Sequence, residues 1–359
     1  MNQFGKILRS FCAAYALISI VGCSSDKEEA TPDVSKIEVK LNTIRFDKEY
    51  FAIDSNHLVD GLKQLKAKYP SFTDFYLDTV LGLGVLGNYT DTATSISKGV
   101  RESITYKDYV NLKDSVNFYF PDTKSIDGEL TMGFKYLKSY LPEIKVPSVY
   151  YINGLLRLSG FPAVIVDSAT SFLSLDMFLG PQFPFYRSVG VPDYLGTHLK
   201  KSYIPIEYFS AVYERMNPFQ QSERSLLDLM IQRGKKMYFL HKIMPQMTDS
   251  MLFGFTGRQI SWCEKNEGNL FNFLVQKNLI YNKEERIVMP FVVDGPFAKG
   301  IGSAEDGQGV TPGNFGSWIG YKMVINYIKT HPKTTLRELI FLREEPSMFL
   351  SQAKYKPKA

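Results

Sequence analysis

The chain has 359 residues, of which 42 are basic and 37 acidic, so its formal net charge is only +5. This balance, without any basic block, argues against nucleic acid as a partner. The length is enough for one large or two ordinary domains with a substantial core. Only three cysteines and four histidines occur, so the composition predicts neither a disulfide framework nor a cysteine-rich metal site.

The first 22 residues have the pattern of a signal peptide. Lys6 and Arg9 precede eleven mainly apolar residues, 11–21, fewer than the about 20 that a membrane-spanning helix needs. Cys23 follows, and residues 20–23 (IVGC) resemble the lipobox of bacterial lipoproteins. The resemblance implies cleavage before Cys23, a diacylglyceryl group on its thiol and an acyl chain such as palmitate on its amino group. The alternative is an ordinary cleaved signal followed by a chance cysteine.

Residues 23–34 are predicted to form a flexible tether between the lipid and the folded body. Two or more acyl chains anchor a protein stably, because each buried CH₂ contributes about 0.8 kcal/mol. The residues after the cysteine (SSDKEE) are polar and charged, as in a solvated tether. A lysine followed by two acids also resembles the surface-export signal of Bacteroidetes lipoproteins. Loss of residues 1–22, which include Lys6 and Arg9, leaves a net charge of +3, from 40 basic and 37 acidic residues.

The remaining residues, 35–359, are expected to form a single α+β domain that is mostly helical. Its sheet-containing part covers about residues 35–200, and its helical part covers about residues 201–345. The sheet is expected to be small and antiparallel or mixed. Alternating and β-rich segments predict strands at 36–46, 146–152 and 163–166, with a further strand at 171–175 after a turn at Asp167 and Ser168.

Apolar residues at helical spacing predict seven helices. Pro70 is expected to end the first, and a capping box at Ser71 and Asp74 to open the second. Capping patterns also open the helices at 225 (Ser225 with Asp228) and 256 (Thr256 with Gln259). Thr311 suits the N-cap of the last helix, with Pro312 at its first position. The predicted helices lie at 58–69, from 71, and at 126–141, 203–215, 225–244, 256–278 and from 312.

Glycine patterns occur at three places. Gly82, Gly84 and Gly87 match G-x-G-x-x-G by letter, but a helix precedes them and a polar loop follows, so a helix exit is predicted instead of a dinucleotide site. Residues 296–313 are glycine-rich and suggest a mobile lid or ligand loop. Gly316 and Gly320 are spaced i, i+4, which flattens one helix face and lets another backbone approach.

Four carboxylates are candidate functional groups. Glu267 lies on an apolar stripe, where it either lines a cleft or forms an ion pair with a residue such as Arg233 or Lys235; the ion pair is favoured. Glu207 and Glu214 are seven residues apart and share one helix face, either as acid and base or as a solvated stripe. The fourth is Asp176, a weaker candidate for the same cleft.

Nucleophile patterns are absent from the sequence. There is no G-x-S-x-G elbow, and Cys263 has no histidine near it in sequence. The loop at 178–194 is rich in aromatic residues, and Phe183, Phe185 and Tyr186 would be the contact residues if this loop binds a glycan. Most other aromatic residues are at core spacing.

Four segments, in order along the chain, resemble the gliding-motility-associated lipoprotein family GldB of Bacteroidetes. They are residues 174–180 (SLDMFLG), 233–240 (RGKKMYFL), 262–267 (WCEKNE) and 312–320 (PGNFGSWIG). The similarity extends from about residue 36 to about residue 342. It implies a lipoprotein linked to gliding motility and cell-envelope machinery, with other envelope or motility proteins as partners.

That family is in turn similar to predicted zinc-dependent peptidases, in which a helix bearing H-E-x-x-H and a second helix with a glutamate hold the metal. Here residues 206–210 (IEYFS) keep Glu207 but have neither histidine, and Arg233 stands where the acid is expected. Two histidines at i, i+4 are what such a zinc site requires. The resemblance therefore implies a zincin-like architecture without metal ligands, and we expect neither a metal nor a cofactor.

Two functional hypotheses follow. The first is a lipid-anchored, non-catalytic envelope protein that binds a peptide or glycan. The outer membrane is its favoured location. The alternative is a hydrolase that uses Glu207, Glu267 and Asp176 in the same cleft. The sequence favours the first, because it contains no complete catalytic motif.

Overall fold

A computed structural model describes residues 31–156, 162–167, 169–188, 190–196, 198–295, 298, 301 and 311–357. Cys23, the signal segment and most of the tether lie outside these residues, as does most of the glycine-rich loop at 296–313. The lipidation of Cys23, the domain boundaries and the lid therefore stay predictions.

Four short strands form one mixed sheet in the order β1-β2-β4-β3. The strands are β1 (Thr43–Arg45), β2 (Ser148–Ile152), β3 (Val164–Val166) and β4 (Thr170–Ser174). β1, β2 and β4 run parallel, whereas β3 is antiparallel to β4. The Asp167 amide donates to the Thr170 carbonyl at 2.8 Å, which closes the β3–β4 turn. β3 is thus at the end of the strand order.

Six α-helices of the described chain precede β2. They are α1 (Phe46–Phe51), α2 (Leu58–Lys68), α3 (Pro70–Phe75), α4 (Arg101–Thr105), α5 (Lys107–Tyr119) and α6 (Lys124–Tyr140). Two wider π-helical segments, Tyr76–Val80 and Ser95–Val100, extend α3 and precede α4.

The part of the chain after β4 is almost wholly helical. Short turns of 3₁₀ helix occur at Leu175–Phe178, Lys201–Tyr203 and Met289–Phe291. The α-helices are α7 (Pro184–Ser188), α8 (Asp193–Gly196), α9 (Ile204–Met216), α10 (Leu226–Ile243), α11 (Asp249–Phe253), α12 (Gly257–Lys265), α13 (Glu267–Gln276), α14 (Glu285–Val288), α15 (Phe315–Thr330), α16 (Leu336–Phe341) and α17 (Pro346–Ala353).

The sheet separates two hydrophobic clusters because successive side chains of a strand point to opposite faces. In β4, Phe172 packs with the aromatic cluster of α1, α2 and α3, whereas Leu173 packs with α6, α9 and α10. Ile152 and Tyr151 of β2 divide in the same way. The fold is therefore α+β and mostly helical, as predicted, with a small mixed sheet.

Several predicted boundaries were wrong for identifiable reasons. Pro70 follows the end of α2 at Lys68, as predicted, but it also opens α3 as the first residue, where its missing N–H costs nothing. The predicted capping bond of Ser71 is absent from α3. Helix 256–278 breaks at Asn266, whose φ of −117° is not helical, into α12 and α13. α15 begins at Phe315 instead of Pro312, with Asn314 as its N-cap. Finally, only Thr43–Arg45 of segment 36–46 is a strand.

Candidate functional site

A cavity of about 380 Å³ lies between the edge strand β3 and three helices, α9, α10 and α11. Ala163 and Val164 form its β3 side. Residues 292–294, together with Asn314 and Ser317, close it from below. We call this cavity the cleft. Its lining includes six charged or titratable side chains: His198, Glu207, Glu214, Arg233, Lys236 and Asp294.

Helix α9 supplies one wall of the cleft. Pro205 in its first turn begins the helix without losing an intrahelical bond. Tyr208 and Val212 turn into the core, while Glu207, Ala211 and Glu214 lie along the cleft side. Spacings of four and seven residues place side chains on one helix face. The predicted shared face of Glu207 and Glu214 is therefore present, and it lines a cavity.

Helix α10 supplies the facing wall, and its position depends on glycine. The Ser225 hydroxyl accepts from the Asp228 amide and caps the helix, as predicted. A Cβ on Gly234 would lie 2.3 Å from the carbonyl carbon of Gly320, and a Cβ on Gly320 would lie 1.8 Å from the Met230 oxygen. Both are shorter than any tolerated contact, so the α10 and α15 backbones cross directly. This crossing confirms the packing role predicted for Gly320 and fixes α10 beside the cleft.

The crossing turns Arg233 and Lys236 of α10 into the cleft. The Lys236 ammonium lies 3.2 Å from a carboxylate oxygen of Glu214 and forms an ion pair with it. Arg233 differs, since within the described part of the chain it forms neither a hydrogen bond nor an ion pair. Its guanidinium is half-buried on the cavity wall. One cation of the cleft is therefore paired and the other is not.

Glu207 is the carboxylate deepest in the cleft. Burial raises its pKa above the ordinary value; Lys236 and His198 act in the opposite direction but do not outweigh the desolvation. Across the residues that the structure describes, Glu207 forms no hydrogen bond and no ion pair. Desolvating a carboxylate without a partner favours its neutral form. The side chain thus presents a carboxyl group with unused hydrogen-bonding capacity to the cavity.

A histidine that the sequence did not point to lies at the far end of the cleft. The His198 ring stacks on Tyr203 at a centroid distance of 4.7 Å. Its Nδ1 is 3.6 Å from one carboxylate oxygen of Asp294, and the other oxygen of Asp294 accepts from Asn314 Nδ2 at 2.6 Å. Gly254, with φ of +68°, leaves room for the ring, because a Cβ there would lie 2.2 Å from His198 Nε2.

The side chains around Glu207 do not suit a zinc ion. Ile206, Ser210 and Arg233 line the cleft at the positions where the resemblance to peptidases would require two imidazoles and an acid. A hydrocarbon, a hydroxyl and a cation do not replace them as zinc ligands. Within the described ranges, no group of three histidine, cysteine or acidic residues is placed to hold a metal ion.

Asp176 is not in the cleft. It is fully buried at the end of β4, where it accepts from the Ser174 hydroxyl at 2.5 Å and from the amides of Gly154 and Leu156 at 2.9 and 2.8 Å. Burial nevertheless raises its pKa. These bonds join the loop after β2 to the end of β4, so the candidate role of Asp176 in the cleft was wrong and its contacts are structural.

Glu267 is also outside the cleft, and its predicted ion pair is not present. The carboxylate accepts from the Tyr355 hydroxyl at 2.8 Å. Lys235 is buried elsewhere, where it donates to the Leu342 carbonyl at 2.9 Å, while Arg233 faces the cleft. Because the helix breaks at Asn266, Glu267 begins α13, and an acid in a first helical turn is favourable.

The aromatic loop offers less surface for a glycan than the sequence suggested. Tyr186 is buried, and its hydroxyl donates to the Asp176 carbonyl at 2.9 Å and accepts from the Leu179 amide at 2.8 Å. Phe183 packs against the core, and only Phe185, which is 37% exposed, remains accessible. A flat platform of three accessible rings is therefore not formed by these side chains.

Two remaining sequence features are structural. Cys263 is buried, and burial raises the pKa of its thiol to about 12, which disfavours a reactive thiolate. Gly82, Gly84 and Gly87 all have positive φ and follow the helical segment Tyr76–Val80, so they form the predicted helix exit. The Asp78 carboxylate binds the backbone amide of Val85 inside this turn.

The model of one protein family, described as gliding motility protein GldB, matches residues 27–357. The chain belongs to this GldB family. Membership indicates a protein associated with gliding motility. No curated protein and no solved structure matches the chain. The described helices include none that is long and apolar enough to cross a membrane.

Proposed function

We propose that this GldB family member is a lipid-anchored envelope protein that acts by binding an extended segment of a partner protein in the cleft, without catalysing a reaction. Acylated Cys23 would hold it at the membrane, with the outer membrane favoured. Residues 23–34 would form the tether, and residues 35–359 the binding domain. Membership of a motility family supports partners among motility or envelope proteins.

The observation that carries the proposal is the edge of β3. In the described residues, β3 pairs only with β4, and Ala163 and Val164 line the cleft. An edge strand presents unpaired N–H and C=O groups to which an extended peptide can add as a further strand. The adjoining cavity would then accept a side chain of the added segment. Backbone pairing supplies affinity in such complexes, and the cavity supplies specificity.

The side chains of the cleft support binding over catalysis. A zincin-like scaffold with a degenerate metal site would retain a groove for a peptide while lacking the ions that activate water. Ile206 and Ser210 beside Glu207 are consistent with such a loss. The peptide would therefore be held and not cleaved.

The experiment measures hydrogen exchange of the mature lipoprotein in detergent micelles, with and without added peptide. The peptides are capped heptapeptides built from serine, threonine and valine, and only their central residue varies. We expect at least one peptide to slow exchange of the Val164 and Val166 amides. The Gly82–Gly87 turn serves as an internal control and should exchange at an unchanged rate. Binding of none of the peptides at β3, or cleavage of a peptide that stops on chelation of zinc, would contradict the proposal.

A second candidate is a carboxylate-dependent hydrolase. The observation in its favour is the raised pKa of Glu207, because a raised pKa keeps a carboxyl group protonated to higher pH, which suits general acid catalysis. Asp294 or Glu214 would have to act as the base. Hydrolysis of a peptide or glycan that is lost in Glu207→Gln but kept in Glu267→Gln would support this candidate over the first.

A further inference from the structure

The cleft has one cation that forms no ion pair with a described carboxylate. Glu214 is paired with Lys236 at 3.2 Å. Asp294 lies beside the His198 ring and accepts from the Asn314 side-chain amide. Glu207 is held toward its neutral form by burial. The guanidinium of Arg233 is half-buried and forms no hydrogen bond or ion pair with any described residue.

An unpaired guanidinium on a cavity wall suits one class of ligand group. Its planar set of donors matches the two oxygens of a carboxylate, and two parallel charge-assisted bonds can form. Partial burial strengthens this interaction relative to the same pair in open water. A basic ligand group would instead meet Arg233 and Lys236 as like charges.

The register of β3 indicates how such a ligand would reach Arg233. The residues on either side of β3 are bonded to β4. The Ala163 carbonyl accepts from the Ser174 amide, and the Asp167 amide donates to the Thr170 carbonyl. Because bonded positions alternate along an antiparallel pair, the backbone groups of Val164 and Val166 point to the outer edge. A segment added there would extend along the mouth of the cleft, with every second side chain directed to one face of the sheet.

We propose that the cleft selects an extended peptide segment that carries a carboxylate, and that Arg233 is the residue that determines this specificity. The inference rests on the proposed function, because it names the chemistry of the partner in the same cleft. An aspartate or glutamate side chain, or a chain terminus, supplies the carboxylate. In either case it pairs with the guanidinium while the backbone pairs with β3.

The test uses the capped heptapeptides with aspartate, asparagine or lysine at the centre, and measures both affinity and exchange of the Val164 and Val166 amides. We expect the aspartate peptide to bind about tenfold or more tightly than the asparagine peptide, and the lysine peptide to bind least. A fourth peptide has asparagine at the centre and a free terminal carboxylate. Its binding distinguishes recognition of a terminus from recognition of a side chain.

Three variants test the assigned residue. Arg233→Gln should weaken the aspartate peptide about tenfold and leave the asparagine peptide unchanged, while Arg233→Lys should restore part of the loss. The matched control is Arg286→Gln, because the Arg286 side chain is 91% exposed and outside the cleft.

The outcomes separate the two proposals. Equal binding of all peptides at β3 would overturn the role of Arg233 but keep the peptide-binding function. Preference for the lysine peptide would overturn the inference in favour of a basic partner. Absence of any protection at Val164 and Val166 would contradict the proposed function itself.

Discussion

Two acidic residues in this protein have opposite surroundings. Asp176 at the end of β4 accepts from two backbone amides and one hydroxyl, all within 2.9 Å. Glu207 in the cleft has no hydrogen-bond partner among the described residues. Burial raises the pKa of both. A perturbed pKa therefore does not by itself distinguish a structural acid from one that faces a ligand; the hydrogen-bond inventory does.

The difference follows from the elements that carry the two residues. Asp176 lies in a tight turn, directly beside the loop that leaves β2, so backbone amides reach it. Glu207 projects from the first turn of α9 into the cleft, and no donor among the described residues reaches its carboxylate. Water or a ligand is the partner left for such an acid.

Among the substitutions that test this comparison, Asp176→Ala is expected to lower the free energy of unfolding most. Removing the carboxylate leaves the Gly154 and Leu156 amides and the Ser174 hydroxyl without their buried acceptor. Each unsatisfied buried group costs about 1–3 kcal/mol. We expect the free energy of unfolding to fall by about 3 kcal/mol or more, as measured by chemical denaturation.

Asp176→Asn provides a matched comparison. Its amide nitrogen would replace the oxygen that accepts from the Leu156 amide, so two donors would meet. We expect a loss of about 1–2 kcal/mol, smaller than that of alanine. Equal stability of the wild type and both variants would show that this carboxylate is not what holds the two loop segments together.

Tyr186→Phe should produce an intermediate effect in the same region. The substitution removes only the hydroxyl that bridges the Leu179 amide and the Asp176 carbonyl. A loss of about 1–2 kcal/mol in the free energy of unfolding is expected, because one buried amide loses its acceptor. Phe185→Leu, which changes the exposed neighbour, is the control and should alter stability less. A glycan-binding role would instead show as affinity lost with little change in stability.

The sequence predicted local structure well where it depends on nearby residues. The N-caps of α10 and α12 were found because Ser225 and Thr256 bond to amides three residues away. The role of Gly320 was also found, since its spacing from Gly316 leaves a flat helix face. In contrast, the partner of Glu267 is Tyr355, 88 residues further along the chain. Neither spacing nor composition could predict that contact.

The cleft was predictable only in part for the same reason. A separation of seven residues placed Glu207 and Glu214 on one face of α9, and a family resemblance drew attention to Arg233. His198 and Asp294 lie 96 positions apart in the sequence and meet only in the folded protein. Asp176 was wrongly assigned to the cleft, because its role depends on hydrogen bonds from backbone amides that no sequence pattern displays.

Glu207→Gln is expected to change the free energy of unfolding least, and to change it only in a specific pH range. An acid whose pKa is higher in the folded than in the unfolded protein binds its proton more tightly when folded. Its contribution to stability is fully present below the ordinary pKa of 4.5 and is lost as the pH rises through the folded value. Above pH 4.5 the wild type must therefore lose stability that the glutamine variant keeps.

Denaturation curves of the two proteins across the pH range would measure this loss. We expect similar stability near pH 4 and an advantage for Glu207→Gln on the order of 1 kcal/mol at neutral pH, since the amide carries no charge to desolvate. Glu214→Gln is the control; Glu214 is exposed and paired with Lys236, so it should not reproduce the advantage. If the two curves ran parallel, a partner for Glu207 would exist in the folded protein, and the cleft would lack the open carboxyl group that sets it apart from Asp176.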